Sequence, residues 1–348
     1  MIKNNVEKTE HFAPLDYLRV VCVIYIVGLW HMVSYTDIEG FKHIQSYPFL
    51  QQSTYCVLSA FTFLSGFLAF REFKGAKDVL KYYLKRLIRL WPLFALAEIA
   101  MVLLGINEGK MLPWVLAGLG WAKEPFPLTL WFVGMIFLFY LLNPVISSKK
   151  LYLGISAAVL VEVAFILLNF FLRTDERLWF YWPFFVTGSI VRRIPWKEWS
   201  GKLKETKITL IKAVAAVLCI AGFVPVLVFA EDSDFSYKTY LSAILFIAGG
   251  IMLFGLIKVK LLNTIIAQIA YASMCAYLYH RVFFTILCKV LGKKISLLPV
   301  WILFLILFFG VSYLLQFGYD KAVGVISGAV SGAVEKNKKK KTKKRKKH

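Results

Sequence analysis

The sequence predicts an all-α polytopic membrane protein, a bundle of about ten transmembrane helices with both termini in the cytoplasm. Of its 348 residues, 59% are hydrophobic and only 18% are charged, and the mean hydropathy is +0.66. About ten stretches each offer the ~20 apolar residues that a helix needs to cross a bilayer. Lysine and arginine collect between alternate stretches. This composition excludes a disordered chain and argues strongly against a soluble enzyme.

The predicted spans follow one another along most of the chain. They cover Ala13–Ser34, Phe49–Phe70, Leu90–Ile106, Leu128–Ile146, Leu151–Leu172, Leu178–Val191, Ile208–Ala230, Tyr240–Ile257, Asn263–Val290 and Leu297–Phe317. Residues 107–127 are too short to span and favour an interfacial or re-entrant piece. Residues 1–320 therefore form one predicted membrane domain, and residues 321–348 form a cytoplasmic polybasic tail. The apolar part of that tail, 322–334, is expected at the inner surface or as a loose segment.

The distribution of basic residues predicts the orientation in a cell membrane. With cytoplasmic termini, the inside segments carry roughly 30 lysines and arginines and the outside segments about nine. The predicted outer loop 231–234 carries acids instead. The net charge of +22 includes ten basic residues between Lys336 and Lys347. Such a tail favours contact with anionic lipid rather than with nucleic acid.

Ionisable side chains within the spans are the candidate functional residues, because a charge in hydrocarbon is costly. The first span holds Arg19 about two turns inside the membrane, and Asp16 can pair with it on the same helix face. His31 follows twelve residues later, roughly 18 Å farther out. Histidine suits proton transfer near neutral pH. Glu98 and Glu162 also fall inside spans, either as buried acids or through misplaced boundaries.

A second basic group opens the third span. Arg86 and Arg89 are one helical turn apart, and Lys85 precedes them. They could simply anchor the helix on the positive side of the membrane, or they could bind phosphate, which arginine grips with two parallel hydrogen bonds. The residues alone leave both interpretations open.

Five ordered motifs cover about residues 12–320. They are Leu15-Asp16-Tyr17-Leu18-Arg19 with His31, Phe61-Thr-Phe-Leu-Ser65-Gly66-Phe67, Arg86-x-x-Arg89-x-x-Pro92, Leu130-Trp131-Phe132 with Tyr140-Leu-Leu-x-Pro144, and Tyr277-Leu278-Tyr279-His280. Taken together and in this order, they resemble the acyltransferase-3 family, membrane O-acyltransferases that modify surface glycans. No single motif is specific, but the ordered set is.

The chain departs from the family pattern at two places. Most members have ten residues between the arginine and the histidine of the first span, whereas eleven separate Arg19 from His31. On a regular helix the two side chains would lie about 120° apart. We therefore expect a π-bulge near Gly28, which would restore their alignment. The second departure is Gly134-Met135, where some members carry a glutamate after the tryptophan.

The resemblance implies an acyltransferase that moves an acyl group, expected to be acetyl, from cytoplasmic acyl-CoA to a hydroxyl of an extracytoplasmic polysaccharide or lipid-linked saccharide. Acetyl and succinyl both stay open, and neither a metal nor a bound cofactor is expected. The implied catalytic residues are His31, as a base or an acyl relay, and Arg19, which would hold the polar arm of the donor or the oxyanion. Donor phosphates would bind Arg86, Arg89 and Lys85, while the acceptor end would include His280, Tyr279 and Trp131.

The competing function is transport, by an exporter or flippase of a lipid-linked saccharide. About ten spans with basic intramembrane residues would suit that function as well. Transporters often contain inverted repeats, and none is visible in the sequence. The Arg86 and Arg89 pair also fits a phosphate-bearing donor better than a transported saccharide.

Overall fold

A computed structural model describes residues 12–35, 44–122, 126–201, 203–228, 236–291 and 298–345. Over these residues the chain is mainly helical and contains no strand. The helices are α1 (Ala13–Val23), which continues as a π-helical segment (Ile24–His31), α2 (Pro48–Ala69), α3 (Ala76–Leu103), α4 (Leu112–Leu116), α5 (Trp131–Ile146), α6 (Leu151–Leu172), α7 (Arg177–Arg193), α8 (Trp196–Gly201), α9 (Glu205–Val228), α10 (Tyr237–Phe254), α11 (Lys260–Leu291) and α12 (Leu298–Arg345).

Six helical stretches are long and apolar enough to cross a membrane. They are Ala13–His31, Leu151–Leu172, Glu205–Val228, Tyr237–Phe254, Lys260–Val290 and Pro299–Val325. The other four predicted spans overlap α2, α3, α5 and α7, which are shorter or more polar. Large apolar side chains are exposed along α6, α9 and α12, as expected for surfaces that face lipid. The all-α membrane architecture is therefore supported, while the count of ten spans and the side of the termini stay predictions.

Two helices, α3 and α12, extend more than ten residues beyond their predicted spans. Helix α3 begins at Ala76, fourteen residues before the predicted start at Leu90. The basic stretch before Leu90 is rich in lysine, leucine and arginine, which favour helix, so it joins the span rather than forming a loop. Helix α12 continues through 322–334, so the backbone of that segment is helical rather than loose.

The connection between α3 and α5 agrees with the prediction for residues 107–127. It contains a 3₁₀ turn, Gly109–Met111, and the five-residue α4, and neither is long enough to span a membrane. The polar N-terminal residues 1–11 and the predicted acidic loop 231–234 lie outside the described residues.

Helices α2 and α7 cross at very close range because each places a glycine at the contact. A Cβ atom on Gly66 would lie 1.9 Å from the carbonyl oxygen of Phe185, and one on Gly188 would lie 2.1 Å from that of Phe63. The Ser189 hydroxyl also donates to the carbonyl of Gly66, at 3.1 Å. Small residues permit this approach of two backbones within a membrane. The Ser-Gly motif at the end of the second span therefore serves helix packing.

Side chains from other helices cap the C-terminal end of α2, where backbone carbonyls lack helical partners. The Arg86 guanidinium donates to the carbonyl of Leu68 at 2.9 Å, and the Asn143 amide donates to that of Ala69 at 3.1 Å. These bonds fix α3 and α5 against α2.

Helix α1 lies at the centre of the bundle. It packs against α2, α10 and α11, and Leu18, Cys22 and Val23 are completely buried. Val21 is exposed on one side of α1, whereas Arg19 and, in the π-helical continuation, His31 are only partly exposed, so neither side chain is fully surrounded by lipid.

Candidate functional site

The end of the first span has the irregular geometry that the Arg19–His31 spacing predicts. Residues Ile24–His31 are π-helical, and Gly28 lies within them. A π-helix advances by roughly 80° per residue instead of about 100°. Five α-helical steps from Arg19 and seven π-helical steps therefore bring His31 to within about 20° of the Arg19 direction. The prediction of an irregular helix between these residues is confirmed.

His31 meets His280 of α11, and we call these two residues the histidine pair. The Nδ1 atom of His31 lies 2.8 Å from the Nε2 atom of His280. The two rings are nearly parallel, with an interplanar angle of 12° and centroids 4.7 Å apart. His280 is completely buried, whereas His31 keeps part of its surface exposed. The contact joins residues 249 positions apart in the chain.

A backbone carbonyl determines the tautomers of the histidine pair when both rings are neutral. The Nδ1 atom of His280 lies 2.7 Å from the carbonyl oxygen of Tyr277. Since a carbonyl only accepts, His280 carries its proton on Nδ1 and its Nε2 atom accepts from His31. His31 must then donate through Nδ1, which leaves a lone pair on its Nε2 atom. The arrangement can thus orient a histidine base through a hydrogen bond to its other nitrogen.

Thr129 lies in the connection between α3 and α5, and it joins this connection to α11 close to His280. Its carbonyl accepts from the Tyr277 hydroxyl at 3.1 Å, and its hydroxyl accepts from the Nε atom of Arg281. Thr129 has a φ of 63°, a strained conformation for a β-branched residue. Such strain persists where surrounding contacts enforce it and is common at functional sites. Arg281 follows His280 directly in α11, so this network lies at the same end of the helix as the histidine pair.

A buried acid on α3, Glu98, helps to hold the segment that precedes Thr129. The Asn107 side chain accepts from the backbone N–H of Leu128 at 3.1 Å and donates to Glu98 at 2.8 Å. Glu98 is completely buried, so its position in the third predicted span reflects a buried acid and not a misplaced boundary. Asn107 and Glu98 thereby hold the residue that precedes Thr129.

Three arginines lie toward the end of α1 that is opposite to His31, and we call Arg19, Arg86, Arg89 and Tyr140 the basic cluster. The Arg86 guanidinium lies 4.4 Å from the Tyr140 ring centre. Asp16, Arg89 and Tyr140 are the main polar groups that act electrostatically on Arg19. Arg89 and Lys85 are exposed, while Arg86 is half-buried. Within the basic cluster, Arg86 caps the end of α2, and Arg89 provides an exposed positive charge.

Two residues expected at the acceptor end have other contacts. The Arg177 guanidinium covers the Trp131 ring at 3.7 Å, and Asp175 accepts from Arg177 Nε at 2.6 Å. One face of Trp131 is therefore occupied. The Tyr279 hydroxyl donates to the carbonyl of Leu93 on α3, at 2.9 Å, so it points away from the histidine pair. Of the three expected residues, His280 alone joins His31.

The sequence prediction omitted Thr129, Arg177 and Arg281. Arg177 and Arg281 had a usable signal, because both are basic residues near the predicted outer side, where such residues are scarce. Arg281 also follows directly on His280. Thr129 had no signal in the sequence, since its role depends on a backbone conformation that composition does not reveal.

Comparison with known proteins adds the family. No curated protein and no solved structure shows significant similarity to the chain. The family model of the acyltransferase-3 domain matches residues 12–317, nearly the whole chain, including the histidine pair and the basic cluster. The six long apolar helices agree with a multi-pass membrane acyltransferase. This chain belongs to the acyltransferase-3 family.

Proposed function

We propose that this protein is a plasma-membrane O-acyltransferase, which moves an acyl group, in the first instance acetyl, from cytoplasmic acyl-CoA to a hydroxyl of an extracytoplasmic glycan. One observation carries the proposal. Helix α1 presents Arg19 of the basic cluster and His31 of the histidine pair on one face, twelve residues apart. A phosphate-binding end and a proton-accepting end on one buried helix fit a donor and an acceptor that approach from opposite sides.

The basic cluster suits the nucleotide end of acyl-CoA. Arginine binds phosphate with two parallel hydrogen bonds, and Arg89 is exposed enough to do so. The bias of lysine and arginine along the sequence favours a cytoplasmic location for this end of the bundle. The flexible arm of acyl-CoA would then extend along α1 and bring the thioester toward His31.

The histidine pair supplies the acid–base step. The lone pair on His31 Nε2 takes the proton of the acceptor hydroxyl, while the hydroxyl oxygen forms a bond to the thioester carbonyl carbon. His280 accepts the hydrogen bond from His31 Nδ1 and keeps the ring oriented. When the intermediate collapses, the C–S bond breaks and the thiolate takes the proton from His31. The products are the acylated glycan and free coenzyme A.

Labelled acyl transfer tests the proposal directly. Membranes containing the protein should move ¹⁴C-acetyl from acetyl-CoA to base-deacetylated surface polysaccharide isolated from the producing cell. The His31→Ala variant should lose turnover at an unchanged protein level, because no other group replaces its Nε2 atom. A wild-type protein that moves intact saccharide across vesicles without acyl transfer would instead be a transporter, and the proposal would be wrong.

Donor binding should depend on Arg89. The Arg89→Gln variant should raise the KM for acetyl-CoA roughly ten-fold, with a smaller effect on the acceptor, because one charge-assisted phosphate contact is lost. Lys81→Gln on the same exposed helix is the matched control and should stay within about two-fold. An equal rise in both variants would indicate only a general loss of positive potential.

A further inference from the structure

The oxyanion of the proposed reaction needs a cationic partner that lies close to His31. Arg19 was a candidate for this role, but the structure places it in the basic cluster, beside Arg89 and Tyr140. It precedes His31 by twelve residues, or roughly 15 Å once the shorter rise of the seven π-helical steps is counted. A carbonyl attacked beside His31 Nε2 is therefore beyond the reach of Arg19.

Arg281 is the cation at the correct end. It follows His280 directly in α11 and is half-buried, so it lies at the same end of the helix as the histidine pair. Its Nε atom is fixed by the hydroxyl of Thr129, whose own position is enforced by Tyr277. The guanidinium is thus oriented through Nε, while its two terminal nitrogens have no acceptor in the part of the chain that the structure describes.

We infer that Arg281 is a further catalytic residue, whose terminal nitrogens hold the oxyanion formed when the acceptor oxygen adds to the thioester carbonyl. This inference rests on the proposed function. As the C–O bond forms, the carbonyl becomes an alkoxide and the hydroxyl proton moves to His31 Nε2, so one negative and one positive charge appear together. When the C–S bond breaks, the carbonyl re-forms and His31 returns its proton to the departing thiolate.

The charge balance favours this assignment over a passive role. A cation beside His31 opposes the formation of imidazolium unless an anion appears at the same time. The oxyanion supplies that anion, and an oriented guanidinium stabilises it without reorganisation during the reaction. Arg281 would therefore disfavour proton transfer in the empty site and favour it during acyl transfer.

The experiment compares Arg281→Gln with two matched variants, using ¹⁴C-acetyl-CoA and base-deacetylated surface polysaccharide as substrates. Arg281→Gln should lower kcat by roughly 10²- to 10³-fold, with both KM values within about three-fold of wild type. Arg281→Lys should recover part of the loss, because it keeps the charge. Thr129→Val keeps the guanidinium but removes its fixed partner, and should lower kcat about ten-fold. Arg173→Gln, an exposed arginine that precedes α7, should stay within two-fold.

The outcomes separate the inference from the proposed function. If His31→Ala is inactive while Arg281→Gln turns over within three-fold of wild type, the inference is wrong and the proposed function stands. If Arg281→Gln raises only the acceptor KM and leaves kcat at the wild-type value, Arg281 binds an acidic group of the acceptor. The inference is then also wrong. If wild-type protein transfers no acetyl group, the proposed function itself fails. All variants must purify as monodisperse protein with an unchanged melting temperature, and if Arg281→Gln does not, Arg281→Lys and Thr129→Val decide.

Discussion

His280→Asn is expected to lower kcat by roughly 100-fold or more, whereas His280→Gln should stay within about ten-fold of wild type. The amide nitrogen of asparagine can occupy the position of Nδ1 and still donate to the Tyr277 carbonyl, but it leaves no acceptor for His31. The amide oxygen of glutamine can instead occupy the position of Nε2 and accept from His31 Nδ1. The two variants therefore separate two hydrogen bonds. Asparagine loses the bond between residue 280 and His31 but keeps the bond to the Tyr277 carbonyl, whereas glutamine keeps the bond to His31.

The measurement is steady-state acetyl transfer with both substrates varied. A positioning role for His280 predicts a change in kcat with little change in either KM, because neither substrate needs to touch His280. Both variants keep an amide that can hydrogen-bond within the buried site, so a simple packing defect would lower their melting temperatures alike. Equal losses of kcat in the two variants would contradict the tautomer deduced from the Tyr277 carbonyl.

Gly66→Ala is expected to destabilise the fold by about 3 kcal/mol or more, because overpacking is costly where no side chain can move aside. The added methyl would lie 1.9 Å from the carbonyl oxygen of Phe185, so two backbones would have to separate. We expect a strongly reduced yield of monodisperse protein in detergent and a lower melting temperature. Gly188→Ala should behave similarly, since its Cβ would lie 2.1 Å from the Phe63 oxygen.

Gly310 of α12 provides the matched control for this prediction. A Cβ atom added there has nothing within 4 Å, so Gly310→Ala should leave the melting temperature unchanged or slightly raised, as alanine favours helix. If Gly66→Ala and Gly310→Ala had the same melting temperature, the close crossing of α2 and α7 would not exist in the membrane.

Sequence reasoning located most of the helices because apolar length is a local property. The predicted span Leu151–Leu172 coincides with α6, and Phe49–Phe70 differs from α2 by one residue at each end. The π-helical segment was also accessible, since counting residues between Arg19 and His31 exposes a mismatch with a regular helix. Where charges continue a helix, as before Leu90 in α3, hydropathy fails to detect the extension.

The arrangement of the candidate site was less accessible because it depends on contacts between distant parts of the chain. Nothing within a single sequence shows that His31 and His280 touch. The capping of Leu68 by Arg86 and the covering of Trp131 by Arg177 are likewise tertiary contacts. The sequence identified candidate functional residues by their type and position. The tertiary contacts show which of these residues, such as Arg86, also stabilise the fold.

The π-helical segment has a consequence for how this helix can change length during evolution. A π-helical turn is what a one-residue insertion produces when both flanks of a helix stay anchored. Arg19 lies near Asp16, a group of opposite charge, and His31 is hydrogen-bonded to His280. Both contacts are independent of the residues that lie between Arg19 and His31. One residue can therefore be inserted into or deleted from this segment while the positions of Arg19 and His31 stay the same. Sequence alignments that force a constant number of residues between the arginine and the histidine would misplace the histidine in such chains, although its position in space is unchanged.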